Sequence, residues 1–212
     1  MALDYLGAGR LVPGLVVNES KGTYSGIAIA TRYKQQSVGV SLNYKVTDFS
    51  SFSLFAGHTQ RTTHLVVPSN DPLALAFEGT KPAYTGSLTY QRQLSVKTSI
   101  NLSTFRNFQQ FNAGVNTTVD TGFAAGIIWK TTPKLSTTLD LRYDRSTISG
   151  LQDATGDERK DLVRSNSLSF KYSAAHLVSL RSYFMRRTRS SNVRSAQFDA
   201  NVAGLELTAA FN

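Results

Sequence analysis

The 212-residue sequence has no cysteine, only five prolines and one tryptophan, and it contains no long hydrophobic run. The absence of cysteine excludes a disulfide framework, although exported proteins can also lack disulfides. A membrane-spanning helix needs ~20 consecutive apolar residues, and no segment approaches that length. The sequence is therefore not that of a helical membrane protein.

Charged residues are also scarce, and acidic residues are the scarcer kind. Charged residues form 17% of the chain, whereas soluble domains average roughly 25%. Lys and Arg number 23 against 14 Asp and Glu, which gives a net charge of +9. This excess favours anionic partners such as lipid headgroups, an anionic polymer or nucleic acid. The opening MALDYLGAGR has neither the basic nor the apolar segment of a signal peptide.

Alternation of apolar and polar residues, in contrast, runs along most of the chain. Five alternating runs, VGVSLNY, TGSLTY, FAAGIIW, NSLSFKY and GLELTAAF, end on an aromatic residue. These aromatics recur about every 40 residues, which indicates one β-hairpin per repeat. They are Tyr44, Tyr90, Trp129, Tyr172 and Phe211.

The alternation predicts about ten strands, most of them ten residues or longer. Strands of soluble sheets have ~5–6 residues, whereas tilted membrane strands need ~9–11. Short turns alternate with longer polar loops, except that the connection at 34–36 is short, and this asymmetry is typical of outer-membrane barrels. The predicted loops are 61–82, 107–116, 147–161 and 188–196. The predicted strands are 23–33, 37–46, 50–60, 83–92, 94–106, 117–130, 135–146, 162–173, 177–187 and 197–211.

The two faces of each predicted strand differ in polarity. Leu139 and Leu141 share one face of their strand, while Asp140 and Arg142 lie on the other. In a soluble β-sandwich the apolar face would pack on a second sheet, whereas in a membrane barrel it would meet lipid and the polar face would line a lumen. The strand length, the aromatics at strand ends and the hairpin-after-hairpin connectivity favour the barrel.

We therefore predict an all-β fold, an antiparallel up-and-down transmembrane β-barrel of about ten strands in the bacterial outer membrane, or part of a larger barrel. Residues 23–212 would form the barrel, and residues 1–22, which contain Pro13 and Gly14, an N-terminal arm, a plug or a partial strand. The five strand-end aromatics would form a membrane girdle at the periplasmic boundary.

The hairpin phrases TYQRQLSVKTSINLSTFRN and WKTTPKLSTTLDLRYDRS resemble those of the beta-barrel porin-2 group, in particular EpsL-like outer-membrane proteins of exopolysaccharide machinery. The resemblance covers most of the chain from about Tyr24 onward. It implies passage of polysaccharide across the outer membrane, with partner chains of an export system, and it carries no catalytic residues.

Charged residues suggest two further sites. A basic excess on the polar face would bias a lumen toward anions, or the charges would pair across strands and hold the wall together. These predicted lumen charges are Lys97, Asp140, Arg142, Asp144, Lys171 and Arg181. A second group would form an anion-binding rim for lipopolysaccharide phosphates or an acidic polysaccharide, unless it is merely a solvated basic loop. This rim comprises Arg186, Arg187, Arg189 and Arg194.

Signatures of catalysis are lacking. None of the three histidines, His58, His64 and His176, has a Ser or carboxylate at a spacing that implies a triad. Zinc spacing, a phosphate-binding glycine loop and a complete calcium loop are missing from the sequence, so we expect no cofactor and no enzyme. The strand-end aromatics lie on the apolar face, which argues against nucleic acid as a partner. The predicted function is a pore or polysaccharide export conduit that also admits small anions, and the alternatives are a non-conducting structural barrel with a filled lumen and a soluble β-sandwich.

Overall fold

The computed structural model describes residues 2–4, 10–24, 31–66, 79–111, 116–152, 158–175 and 178–209. Within these ranges the chain forms one antiparallel sheet in which each strand pairs with the next strand in sequence. This up-and-down order confirms the predicted fold class. The strands are β1 (Ala2–Asp4), β2 (Leu11–Tyr24), β3 (Thr31–Thr47), β4 (Ser50–Leu65), β5 (Gly79–Gln93), β6 (Thr98–Phe111), β7 (Asn116–Lys130), β8 (Leu135–Gln152), β9 (Glu158–Ala175), β10 (Val178–Ser191) and β11 (Phe198–Ala209).

The sheet is long-stranded and open. Its strands from β2 onward contain 12 to 18 residues, more than the ~9–11 that cross a membrane. The strand order begins at β1 and ends at β11, so among the described residues these two strands are edges and the sheet is not closed. No helix in the described part of the chain is long and apolar enough to cross a membrane.

Hydroxyl side chains build the short turns at one end of the sheet. The Ser95 hydroxyl accepts hydrogen bonds from the backbone N–H groups of Lys97 and Thr98 at 3.2 and 3.1 Å. Thr132 accepts in the same way from Lys134 and Leu135, at 3.3 and 3.0 Å. A hydroxyl that bonds the backbone two and three residues ahead closes a compact turn. We call this end of the sheet the turn end and the opposite end the loop end.

Strand register sorts the side chains into two faces. One row, which defines the apolar face, runs through Tyr44, Phe52, Tyr90, Leu102, Ala125 and Leu141. The adjacent row, which defines the polar face, runs through Asn43, Ser53, Thr89, Ser103, Ala124 and Arg142. Only three described hydrophobic residues, Ala83, Ile148 and Val163, are buried. Because so much apolar surface is otherwise left uncovered, the apolar face requires a nonaqueous neighbour.

The N-terminal strands differ from the sequence prediction. The predicted strand 23–33 is wrong, because β2 ends at Tyr24 and β3 begins at Thr31. The predicted connection at 34–36 is also wrong, since these residues lie within β3 and pair with residues 19–21 of β2. The boundary proposed between residues 22 and 23 falls inside β2. Toward the loop end both faces become polar, so the alternation that marks a strand disappears although backbone pairing continues.

Candidate functional site: the polar face of the sheet

The polar face carries a basic excess. Register places ten Lys or Arg and five Asp or Glu of the described strands on this face. The basic residues are Lys45, Arg61, Lys81, Lys130, Arg142, Arg159, Lys171, Arg181, Arg187 and Arg189. The acidic residues are Asp120, Asp140, Asp144, Asp161 and Glu206.

Five of the six predicted lumen charges lie on this face. Lys97 is the exception: the predicted strand 94–106 begins only at Thr98, so Lys97 belongs to the turn between β5 and β6. The predicted cross-strand pairing is present in part, since Arg181 Nη1 lies 3.7 Å from Glu206 Oε2 on β11. Arg142 instead pairs along its own strand, with its Nε 2.7 Å from Asp144 Oδ2.

Arginines of this face stack on aromatic rings, which in turn lie on glycines. The guanidinium of Arg142 lies over the Phe105 ring at 4.7 Å. The edge of that ring is so close to Gly122 that a Cβ on Gly122 would be 2.7 Å from Phe105 Cζ. Glycine thus leaves the space that the ring fills, and the ring holds the guanidinium plane in place.

The same arrangement recurs elsewhere on the polar face. Arg61 lies 4.0 Å above the ring of Tyr33, which packs against Gly22. Arg181 lies 5.6 Å from the ring of Tyr183, which packs against Gly204. Because the glycine of each group comes from a different strand than its arginine, the alternation pattern did not reveal these groups. The guanidinium groups are oriented and charged, and they can donate hydrogen bonds to an anion.

Two depressions lie on the polar face. The larger, with a volume of about 790 Å³, is at the turn end and is lined by polar residues that include Gln91, Asn101 and Asp140. The smaller, about 370 Å³, lies toward the loop end and is lined by Arg187 together with Asp120 and Asp144. Arg142 borders both.

An ion cluster that the sequence did not predict borders the smaller depression through Asp161 and Arg189. Arg159 donates to both carboxylate oxygens of Asp161, at 2.9 and 2.7 Å. Arg189 Nε lies 3.7 Å from the same carboxylate, and the Asp161 side chain is only 4% exposed. These residues fall in segments predicted as loops. The alternation of Arg159, Asp161 and Val163 was the available signal for a strand.

The predicted anion-binding rim divides between two faces. Arg187 and Arg189 lie on the polar face of β10, whereas Arg186 points from the apolar face and pairs with Asp199 at 2.9 Å. Arg194 lies in a short 3-10 turn between β10 and β11. Because β10 continues to Ser191, consecutive arginines alternate in direction and cannot form one rim.

Four of the five predicted girdle residues lie on the apolar face near the turn end. Tyr44, Trp129 and Tyr172 are 40%, 50% and 46% exposed, and Tyr90 stacks on Phe52 with ring centroids 4.6 Å apart. Phe211 lies outside the described residues.

Of the histidines, His176 also lies outside the described residues. His58 packs edge-on against Tyr84 on the apolar face, and the described residues contain no group of three potential metal ligands.

No protein-family model and no curated protein matches the chain. Solved structures do match. The outer membrane channel DcaP of Acinetobacter baumannii is similar with a TM-score of 0.69 and 12% identity, over 99% of this chain and 61% of DcaP. Outer-membrane expressed OmpT of Vibrio cholerae is similar with a TM-score of 0.50 and 9% identity, over 93% of this chain and 62% of OmpT.

This chain therefore has the fold of an outer-membrane β-barrel and spans about three fifths of the length of both neighbours. The predicted location in the bacterial outer membrane agrees with that of both neighbours, which are outer-membrane proteins. The exopolysaccharide group that the hairpin phrases resemble is not among these matches.

Proposed function

We propose that this protein forms the wall of an outer-membrane pore that prefers anionic solutes. The observation that carries the proposal is the division of the sheet into an uncovered apolar face and a polar face with twice as many basic as acidic residues. Lipid is the neighbour that an apolar strand face of this length accepts. The polar face then encloses water, and fixed positive charge along it raises the local concentration of anions.

The length comparison favours an open lumen over the filled barrel. Ten long strands correspond to 61% of DcaP. We propose that this chain forms part of a barrel of about DcaP's length. With the same number of residues per strand, such a barrel contains about sixteen strands, a size at which barrels hold an aqueous channel, whereas about eight strands are filled by side chains.

Acidic polysaccharide is the finer cargo that we propose, in keeping with the resemblance to exopolysaccharide proteins. The Arg142 guanidinium lies over the Phe105 ring and donates through Nε to Asp144, which leaves its Nη–H groups to donate to one carboxylate of the polymer. A series of such groups would let a polyanion exchange one contact for the next during passage.

Conductance across planar bilayers tests the pore. In a KCl gradient the purified protein should show a reversal potential that favours chloride, and the double variant R142Q/R187Q should reduce the chloride-to-potassium permeability ratio several-fold. Arg145→Gln, which removes a charge from the apolar face, is the matched control and should leave the ratio unchanged. Absence of any current would refute the pore and support the filled barrel.

Block of the current by a uronic-acid oligosaccharide tests the proposed cargo independently of the proposed pore. The uronic-acid oligosaccharide should block the current at lower concentration than a neutral oligosaccharide of equal length, and R142Q/R187Q should remove that difference. Equal block by the two sugars would refute the polysaccharide proposal and leave the anion-selective pore intact.

A further inference from the structure

A second set of arginines lies on the apolar face of the sheet, which does not line the proposed pore. We call Arg106, Arg145, Arg164 and Arg186 the outer basic collar. They belong to β6, β8, β9 and β10, and register places all four on the apolar face. All four are exposed.

The strand register places Arg145, Arg164 and Arg186 close to one another. Arg164 pairs with Tyr143, so Arg145, two residues farther along β8, is its diagonal neighbour. Arg164 also pairs with Thr188, which makes Arg186 its diagonal neighbour on β10. Diagonal neighbours on one face of a sheet are ~7–8 Å apart. One phosphorylated headgroup could therefore contact two of these guanidinium groups at once.

On β8 and β10 the collar lies just beyond exposed aromatic residues. Arg145 is two residues beyond Tyr143, and Arg186 is two residues beyond Phe184, and both aromatic residues are exposed on the apolar face. A strand rises ~3.3 Å per residue, so these guanidinium groups lie within ~7 Å along the strand of side chains that require lipid. All four are displaced toward the loop end, which faces the exterior in outer-membrane barrels.

Few carboxylates of the described residues neutralise the positive charge of the outer basic collar. Asp199 pairs with Arg186 at 2.9 Å, and both side chains are more than half exposed. Arg106 donates to the backbone carbonyl of Tyr84 at 3.2 Å. Among the described residues Arg145 has no ion pair. Four exposed guanidinium groups with one described carboxylate partner among them, that of Arg186, lie beside a lipid-facing surface and match an anionic headgroup.

We propose that the outer basic collar binds the phosphate groups of lipopolysaccharide in the outer leaflet. Acyl chains lie against the apolar face, and the glucosamine phosphates accept hydrogen bonds from Arg145, Arg164 and Arg186. Of the residues in the predicted anion-binding rim, Arg186 thus belongs to the proposed lipopolysaccharide site. Arg187 and Arg189 lie on the polar face instead.

Binding of lipid A to the purified protein in detergent micelles, measured by native mass spectrometry, tests this proposal. Diphosphorylated lipid A should bind on the order of 100-fold more tightly to the native protein than to R145Q/R164Q/R186Q, at about fivefold per arginine. R142Q/R187Q is the matched control, because it removes charge only from the polar face and should bind lipid A normally. Heat-modified gel migration should confirm that each variant folds.

Two results with lipid A, and a third with inorganic phosphate, would overturn the proposal. One is equal affinity for lipid A with and without its phosphates, and the other is unchanged binding by the folded triple variant. Inorganic phosphate that competes at the affinity of lipid A itself would likewise refute a lipid site. The triple variant should keep the chloride preference of the native channel, so failure of the collar and failure of the pore are separable.

Discussion

Substituting Gly122 with alanine should destabilise the protein, because this glycine lies where two neighbouring strands and an aromatic ring converge. A Cβ at this position would be 2.5 Å from the carbonyl oxygen of Tyr143 and 2.7 Å from Phe105 Cζ. The first contact involves backbone of β8 that pairs with β7, and it cannot be relieved by a side-chain rotation.

The expected loss is about 1.5–4 kcal/mol of unfolding free energy. Overpacking against rigid neighbours costs roughly 1–3 kcal/mol. Displacement of the Phe105 ring would also disturb its contact with Arg142. A cation–π contact is worth about 0.5–1 kcal/mol when its arginine is exposed, and the Arg142 side chain is 52% exposed.

Gly126 provides the matched control on the same face of β7. Its nearest neighbour would be Asp140 Oδ1 at 3.0 Å, and the closest backbone atom would be 4.0 Å away. Because a carboxylate can rotate aside, Gly126→Ala should change the unfolding free energy by less than about 1 kcal/mol.

Urea unfolding of the protein in detergent or lipid vesicles measures both variants. Trp129 is the only tryptophan and lies half-exposed on the apolar face, so its fluorescence should report loss of the lipid-facing surface. The reasoning would be refuted if Gly122→Ala and Gly126→Ala were equally stable. Phe105→Leu in the Gly122→Ala background should recover the part of the loss that the ring causes, and no recovery would exclude the ring as a cause.

Two further substitutions test the faces and the ion cluster. Leu102→Arg, on the apolar face, should destabilise the membrane-inserted protein by about 2–4 kcal/mol, whereas Asn101→Arg, one residue away on the polar face, should cost less than about 1 kcal/mol. Equal costs, measured by the same unfolding assay, would contradict the assignment of the faces. Asp161→Asn should destabilise by about 3 kcal/mol, because it leaves the largely buried Arg159 and Arg189 without their carboxylate, and an unchanged urea midpoint would show that this cluster contributes nothing.

Local patterns predicted much of the architecture. The antiparallel order of the hairpins and the turn after Lys130 follow from period-two alternation, which acts over a few residues. The turn after Gln93 was not predicted, because residues 94–97 were assigned to the strand 94–106, whereas β6 begins at Thr98. The prediction was wrong near the N-terminus, where residues 34–36 have polar side chains on both faces. There the backbone stays paired because a neighbouring strand supplies hydrogen bonds, and no property of the segment itself records that neighbour.

The groups whose members come from several strands could not be predicted from the sequence either. Phe105, Gly122 and Arg142 come from β6, β7 and β8, and the register between these strands brings them together. Sequence spacing alone does not specify such a register.

The sequence by itself determined the polarity of the two strand faces, because that property depends only on which residues alternate. The tertiary structure decided how far each strand extends, and hence where its charges point. Residues 186–189 read as one basic rim when the strand is predicted to end at residue 187 and a loop to follow it. Since β9 and β11 pair with β10 through this segment, the pleat separates Arg186 from Arg187 and Arg189 and directs them to opposite faces.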